Sequence, residues 1–220
     1  NLKESLSDIS HQLKTPLTSI IIILDNILDN PDMEQTVRED FIKDIKREIT
    51  NIQFLVANLL KLSKLDANSV QFINKEVKVE EIIQNVVKNV SSICDLKNIK
   101  INITGDPKAK IVCDERWQIE AITNIVKNAA EHSKTDSEID ISYEQNKAYT
   151  KVAIKDYGAG ISNSDIKYIF QRFYKSKNSA KDSIGIGLPL AKSIIERNNG
   201  YIEVTSEEGK GTTFTIKYLK

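Results

Sequence analysis

His11 lies in the run Ser10-His11-Gln12-Leu13-Lys14-Thr15-Pro16-Leu17, with a hydroxyl four residues on and a proline five residues on. An imidazole pointing away from a helix's apolar seam is not placed for packing, whereas one that must meet a large partner would stand there. Thr15 shares its helical face one turn later. Pro16 removes the backbone donor to the Gln12 carbonyl and crowds it, which predicts a bend about one turn past the histidine. A solvated surface histidine is the plain alternative. The neighbouring hydroxyl and proline argue for a constellation instead.

A second set of residues could hold a nucleotide. Asn124 and Asn128 fall one helical turn apart, with Lys127 between them. Amide oxygens suit Mg²⁺, and a lysine can meet phosphate. Asp156-Tyr157-Gly158-Ala159-Gly160 follows an apolar run. A carboxylate fixed at a strand end can accept from an exocyclic amine such as that of adenine, and Gly158 and Gly160 allow close backbone approach. Gly185-Ile186-Gly187-Leu188 precedes Pro189 and a helical pattern; free amides at a helix N-terminus attract phosphate. Residues 161–184 form a long connection, with one short helical stretch expected near 163–171. Its Phe170, Phe173, Tyr174, Lys175, Lys177 and Lys181 fit a lid over a polyphosphate. Each pattern alone is common; their order and joint presence point to one ligand. Neither a Gly-x4-Gly-Lys-Ser/Thr loop nor a Gly-x-Gly-x-x-Gly fingerprint occurs.

The elements that must position these groups follow from periodicity. Leu2, Leu6, Ile9, Leu13, Pro16, Ile20, Ile23 and Ile27 make a heptad seam over a helix at 1–29, with His11 pointing away from it. Asn30-Pro31-Asp32 breaks that helix. Ile42, Ile45, Ile49, Ile52, Val56 and Leu59 form a second seam over 34–65. A hairpin with such seams leaves apolar surface that a second copy can cover, so a homodimeric four-helix bundle is expected. Residues 1–66 are then a helical hairpin, 67–72 a linker and 73–220 a second domain. In that domain helices are expected near 79–96, 115–132 and 188–198. Strands are expected near 100–104, 110–113, 138–144, 148–155, 201–205 and 212–219. The fold class is α then α/β: an α/β sandwich with a mixed sheet and helices on one face behind the hairpin.

Composition is that of an ordinary globular chain, with 40% hydrophobic and 28% charged residues. Thirty-one basic side chains balance thirty-one acidic ones over 220 residues, so net charge gives no argument for a nucleic-acid partner. Cys94 and Cys113 lack metal-type spacing and fit a reducing compartment. No apolar run is long enough to span a bilayer, and no signal-peptide pattern opens the chain. The mid-heptad start at Leu2 suggests a piece of a longer protein.

Taken in order, these motifs resemble the catalytic portion of sensor histidine kinases of two-component systems over essentially the whole chain. Ser10 to Leu17 resembles the phosphoacceptor motif. Asn124 to Asn128 with Ala129 resembles the asparagine motif, with Asp114 and Gln118 also matching upstream. Asp156, Gly158 and Gly160 resemble the first glycine motif. Phe170-Gln-Arg-Phe173-Tyr174-Lys175 resembles the phenylalanine motif, Gly185-Ile-Gly187-Leu188 the second glycine motif, and Gly209-Lys-Gly211-Thr212-Thr213-Phe214 the closing motif.

The resemblance implies a dimerisation and histidine-phosphotransfer hairpin joined to a Bergerat-type ATP-binding domain. It implies ATP and Mg²⁺ as cofactors, with His11 as phosphoacceptor and Gln12 and Thr15 beside it in the chemistry. Asn128 is the implied Mg²⁺ ligand, Asp156 the adenine reader and Lys175 a phosphate contact. Asn124, Lys127, Gly158, Gly160, Tyr174, Gly185, Gly187, Leu188 and Thr213 complete the implied nucleotide site. The implied partners are a second copy and the receiver domain of a response regulator. The implied setting is the cytoplasmic part of a membrane-anchored sensor, with Thr15 orienting water when the regulator is dephosphorylated.

The chain departs from the family pattern at Gln12, where an acidic residue is usual, at Glu131, where lysine is frequent, and at Ser183, where glycine is usual. A glutamine amide can hold a tautomer but cannot act as a base near neutral pH. Two other readings remain open from sequence: another Bergerat-type ATPase, or a nucleotide-binding dimerisation scaffold that transfers nothing.

Overall fold

A computed structural model describes residues 2–176 and 185–220; Lys177, Lys181 and Ser183 lie outside the described residues. The chain divides into two compact units, residues 1–60 and 61–220.

The first unit is a helical hairpin. Helix α1 spans Leu2–Asp29 and runs unbroken through Pro16. The Met33 amide donates to the Asn30 carbonyl at 3.0 Å, making the turn where the proline forbids more helix. Arg38 fastens the corner by donating to the Pro31 carbonyl at 2.8 Å. Helix α2 follows over Gln35–Asp66. Of the α1 seam, Ile9, Leu13, Pro16, Ile20, Ile23 and Ile27 are half-buried, and Leu2 and Leu6 fall outside the described side chains. A second row, Leu17, Ile21, Leu24 and Leu28, is exposed, Ile21 at 56%. The α2 seam splits the same way: Ile45, Ile52 and Leu59 are half-buried, while Ile42, Ile49 and Val56 face water.

The second unit takes in the last turns of α2 from Lys61 onward. Leu62 and Leu65 are buried there. Lys61 pairs with Glu120, and Arg197 donates to the Leu65 carbonyl. Arg172 grips Asp66 with two bonds of 2.8 and 2.7 Å. Strand β1 is Lys75–Lys78, helix α3 Val79–Leu96, strand β2 Lys100–Gly105, strand β3 Lys110–Cys113 and helix α4 Glu115–His132. Strands β4 (Glu138–Gln145) and β5 (Tyr149–Asp156), helix α5 (Gly187–Arg197), and strands β6 (Gly200–Glu207) and β7 (Gly211–Leu219) complete it.

Five strands form a sheet in the order β2-β4-β5-β7-β6. The β2/β4 pair is parallel and the other pairs are antiparallel, which makes the sheet mixed. Alternation decides its faces. Ile139, Ile141 and Tyr143 of β4, Val152 and Ile154 of β5, and Phe214, Ile216 and Tyr218 of β7 are buried together. The apolar stripes of α3 (Val79, Ile82, Ile83, Val86, Val90) and α4 (Ala121, Ile122, Ile125, Val126, Ala129) bury on the same side. Each fully buried Ile or Phe contributes about 1.5–3 kcal/mol, so this face dominates the unit's stability.

Strand β1 was not expected from sequence. It pairs antiparallel with β3, Lys75 opposite Cys113. Only Val77 of Lys-Glu-Val-Lys is buried, too little alternation to be seen. The short helix expected near 163–171 is a succession of turns instead, closed by Asp165 N to Ser162 O and Tyr168 N to Asp165 O.

Candidate functional site

His11, Gln12 and Thr15 sit on α1 in the first unit. His11 and Thr15 are exposed, and Gln12 is half-buried. The Thr15 hydroxyl donates to the His11 carbonyl at 3.2 Å, the usual back-bond of a helical threonine. This leaves the His11 ring free of that neighbour.

In the second unit, helix α4 starts because Asp114 caps it, accepting from the Arg116 and Trp117 amides at 3.1 and 3.3 Å. The cap sets the helix register that puts Asn124, Lys127 and Asn128 on a half-buried face. Asn124 Nδ2 donates to the Glu120 carbonyl at 3.1 Å, so its oxygen is left over. That oxygen faces α5: a Cβ on Gly187 would stand 3.1 Å from Asn124 Oδ1. Lys127 pairs with Glu131 at 3.7 Å, so the acidic departure at 131 turns part of the lysine's charge toward its own helix.

Asp156 ends β5 and is only 3% exposed. Its Oδ1 accepts from the Gly158 amide at 2.9 Å and the Thr212 amide at 3.2 Å. Burial pushes its carboxyl above the ordinary carboxylate value, against the pull of those two amides and of His132 nearby. Oδ2 is left to accept from something else. Gly158 lies against the end of α4, where a Cβ would come within 2.3 Å of the His132 carbonyl. Any side chain there would push the acidic turn off the helix. Gly160, at φ 70°, packs against Glu207.

Helix α5 has no side-chain cap, so its first amides, at Gly187 and Leu188, are uncommitted to a side chain. The connection before it leaves and returns at one hydrogen bond, Phe173 N to Gly185 O at 2.8 Å. Both ends are left-handed, Phe173 at φ 63° and Gly185 at φ 73°. For phenylalanine that is a strained conformation. Tyr174 donates to Asp165 Oδ1 at 2.7 Å and packs against Tyr168, so its hydroxyl is already engaged. Lys175 is exposed.

Thr213 is placed differently from the other expected site residues. It pairs with Lys155 and Thr205 on the face opposite Phe214, whereas Thr212 shares Phe214's side and meets Asp156. Thr212 is therefore the threonine of the acidic turn. Ser206 also escaped sequence reasoning: its hydroxyl donates to Gly211 O at 2.9 Å and accepts from Ile161 N at 2.8 Å. The alternation that buries Phe214, Ile216 and Tyr218 was the signal that pointed to Thr212; nothing in sequence singled out Ser206.

Among the described residues no group of three or more His, Cys, Asp or Glu could hold a metal ion. The amide oxygens of Asn124 and Asn128 are donors on α4 that suit a hard cation.

The second unit thus holds a buried carboxylate with one unengaged oxygen, a helix N-terminus without a side-chain cap and an asparagine facing that helix, while the first unit carries an exposed histidine. Residues 1–68 match the His Kinase A (phospho-acceptor) domain. Residues 113–220 match the Histidine kinase-, DNA gyrase B-, and HSP90-like ATPase family. The chain belongs to the sensor histidine kinases. It is similar to the heme sensor protein HssS of Staphylococcus saprophyticus, 32% identical over 98% of this chain and 46% of that protein. It is also similar to the sensor-like histidine kinase SenX3 of Mycobacterium bovis, 27% identical over 97% of this chain and 53% of that protein. The chain thus spans about half the length of these curated relatives. Among solved structures, Acinetobacter baumannii histidine kinase AdeS shares the fold with a TM-score of 0.79 at 22% identity, covering 95% of this chain and 97% of that one. Histidine kinase ThkA, in complex with response regulator protein TrrA, matches with a TM-score of 0.81 at 21% identity, over 100% of this chain and 62% of that one.

Proposed function

We propose that this chain transfers the γ-phosphoryl group of ATP to His11 and then to an aspartate in the receiver domain of a response regulator. The observation that carries the reading is the joint presence in one chain of a water-facing His11 and a half-satisfied Asp156 carboxylate beside an uncapped helix. A neutral His11 ring nitrogen forms the new bond to phosphorus while the bond to the β-phosphate oxygen breaks and ADP leaves. The other ring nitrogen then gives its proton to water, because the Gln12 amide has no basic lone pair for it. Such transfer depends chiefly on positioning and charge neutralisation.

Asp156 Oδ2 accepts from the adenine amine, and the uncapped first turn of α5, at Gly187 and Leu188, receives phosphate. Asn128 with Asn124 would hold Mg²⁺, which when bound supplies neutralising charge to the phosphates. Lys175 and Lys127 add positive charge near that end, Lys127 at reduced strength through its pairing with Glu131. Residues 1–66 act as the phosphotransfer hairpin, 67–72 as linker and 73–220 as the ATP-binding domain.

The exposed rows Leu17-Ile21-Leu24-Leu28 and Ile42-Ile49-Val56 support a homodimer through the hairpin, since a second copy would cover both. Thr15, turned off its back-bond, orients water when the regulator is dephosphorylated. The relatives' greater length supports the chain being the cytoplasmic part of a longer membrane-anchored sensor. No helix among the described residues is long and apolar enough to cross a membrane.

Incubation with γ-labelled ATP and Mg²⁺ tests the reading. The parent chain should gain acid-labile, base-stable label, and His11→Ala should gain none. Absence of label in the folded, ATP-binding parent overturns it.

A further inference from the structure

Carbonyls at the end of an α-helix have no partner within the helix. At the end of α4 their partners can be named one by one. Ala129 O accepts from the Ser133 amide at 2.9 Å and the Ser133 hydroxyl at 2.8 Å. Ala130 O, Glu131 O and Ser133 O all accept from a single donor, Lys97 Nζ, at 2.9, 2.6 and 3.0 Å. The remaining carbonyl, His132 O, is the atom against which Gly158 rests.

We propose that Lys97 is a positioning residue for the nucleotide site: its ammonium gathers the α4 C-terminus and so fixes the wall that holds the Asp156–Gly160 turn. The inference rests on the adenine site argued above. An ammonium has three N–H donors, and here three carbonyls receive them. The positive charge also sits at the negative end of the helix dipole. Lys97 is itself held at the end of α3, where its amide donates to Ile93 O at 3.3 Å and its carbonyl accepts from Asp136 N at 2.9 Å. The lysine therefore acts as a fixed post between α3 and α4.

None of the hydrogen bonds made by Lys97 reaches the acidic turn, so any effect on nucleotide must pass through the backbone of 130–133. Without the ammonium, three carbonyls point at one another with nothing between them. The last turn of α4 must open to find water, carrying His132 O away from Gly158. Asp156 then loses the geometry in which one oxygen is tied to Gly158 and Thr212 and the other is free. An arginine does not replace this post, because a planar guanidinium cannot converge its donors on three carbonyls as a tetrahedral ammonium does.

The test compares the parent, Lys97→Met and Lys97→Ala, with fold checked by circular dichroism. It reads the calorimetric Kd of an ATP analogue and KM and kcat for His11 labelling. Both Kd and KM should rise about tenfold in the variants, the scale of one lost charge-assisted hydrogen bond. The kcat at saturating ATP should stay within about twofold. Propylammonium, which restores the missing end of the side chain, should recover Kd in Lys97→Ala and leave Lys97→Met unchanged. If Lys97→Met does not fold, Lys97→Gln, with amide donors on a shorter arm, carries the same comparison. A folded variant with parental Kd, or one that loses kcat alone, overturns the proposal. A folded parent that binds no ATP overturns the nucleotide-site reading instead.

Discussion

The Thr212 amide donates to Asp156 Oδ1 at 3.2 Å, tying the start of the last strand to the acidic turn 56 residues earlier. One carboxylate oxygen is thereby spent on the fold, which leaves the other for the adenine contact proposed above.

This division predicts the behaviour of Asp156→Asn. The single amide oxygen should take the Gly158 and Thr212 donors, turning the NH₂ toward the adenine amine, donor against donor. ATP affinity should fall about 100-fold by calorimetry.

The same substitution should not destabilise the empty protein at neutral pH. Burial raises the Asp156 pKa, so the native state holds this proton more tightly than the unfolded chain. Stability from this group is present at low pH and declines as pH rises from the ordinary value of 3.8 through the raised one. Parent and Asp156→Asn melting temperatures should differ least near pH 4, with the variant equal or higher at pH 7. A variant that melts lower at pH 7 than at pH 4 relative to the parent contradicts this sign.

Gly158→Ala places a methyl 2.3 Å from the His132 carbonyl, a backbone atom that cannot swing aside. Urea unfolding should show a loss on the order of 1–3 kcal/mol, with weaker ATP binding alongside.

Ile21→Asp puts a charge in the middle of the exposed Leu17-Ile21-Leu24-Leu28 row. Light scattering should show a shift from dimer to monomer, while ATP affinity stays near parental because the second unit is untouched. An unchanged dimer places the contact elsewhere on the hairpin.

Gln12→Glu supplies a carboxylate next to His11 that can take its proton. Autophosphorylation should speed up by about 100-fold, the lower end of general-base assistance, read as initial label incorporation.

Sequence carried the elements whose periodicity is long: both heptad helices, the α3 and α4 stripes, and the β4, β5 and β7 alternation. It carried less where few residues are buried. Strand β1 offers one buried side chain, Val77, and exists because β3 is there to pair with it. The turns at 163–170 have helix-like spacing of Ile166, Ile169 and Phe170, but Tyr168 and Gln171 close short turns instead. The Asp156 turn was legible as a motif and the β7 alternation carried a signal for Thr212, whereas the turn's contacts with Thr212, Ser206 and His132 were not legible. Those partners depend on strand register and on where a helix ends, neither of which local spacing encodes. Lys97 was invisible for the same reason, since its acceptors are carbonyls and carry no sequence signature.

The bond between Phe173 N and Gly185 O brings the two ends of an excursion together before it begins. Ends pinned in this way settle part of the closure entropy of the chain between them, a cost that grows only slowly with length. Breaking that one bond, or the left-handed turns at Phe173 and Gly185 that allow it, would return the cost of closure to the scaffold.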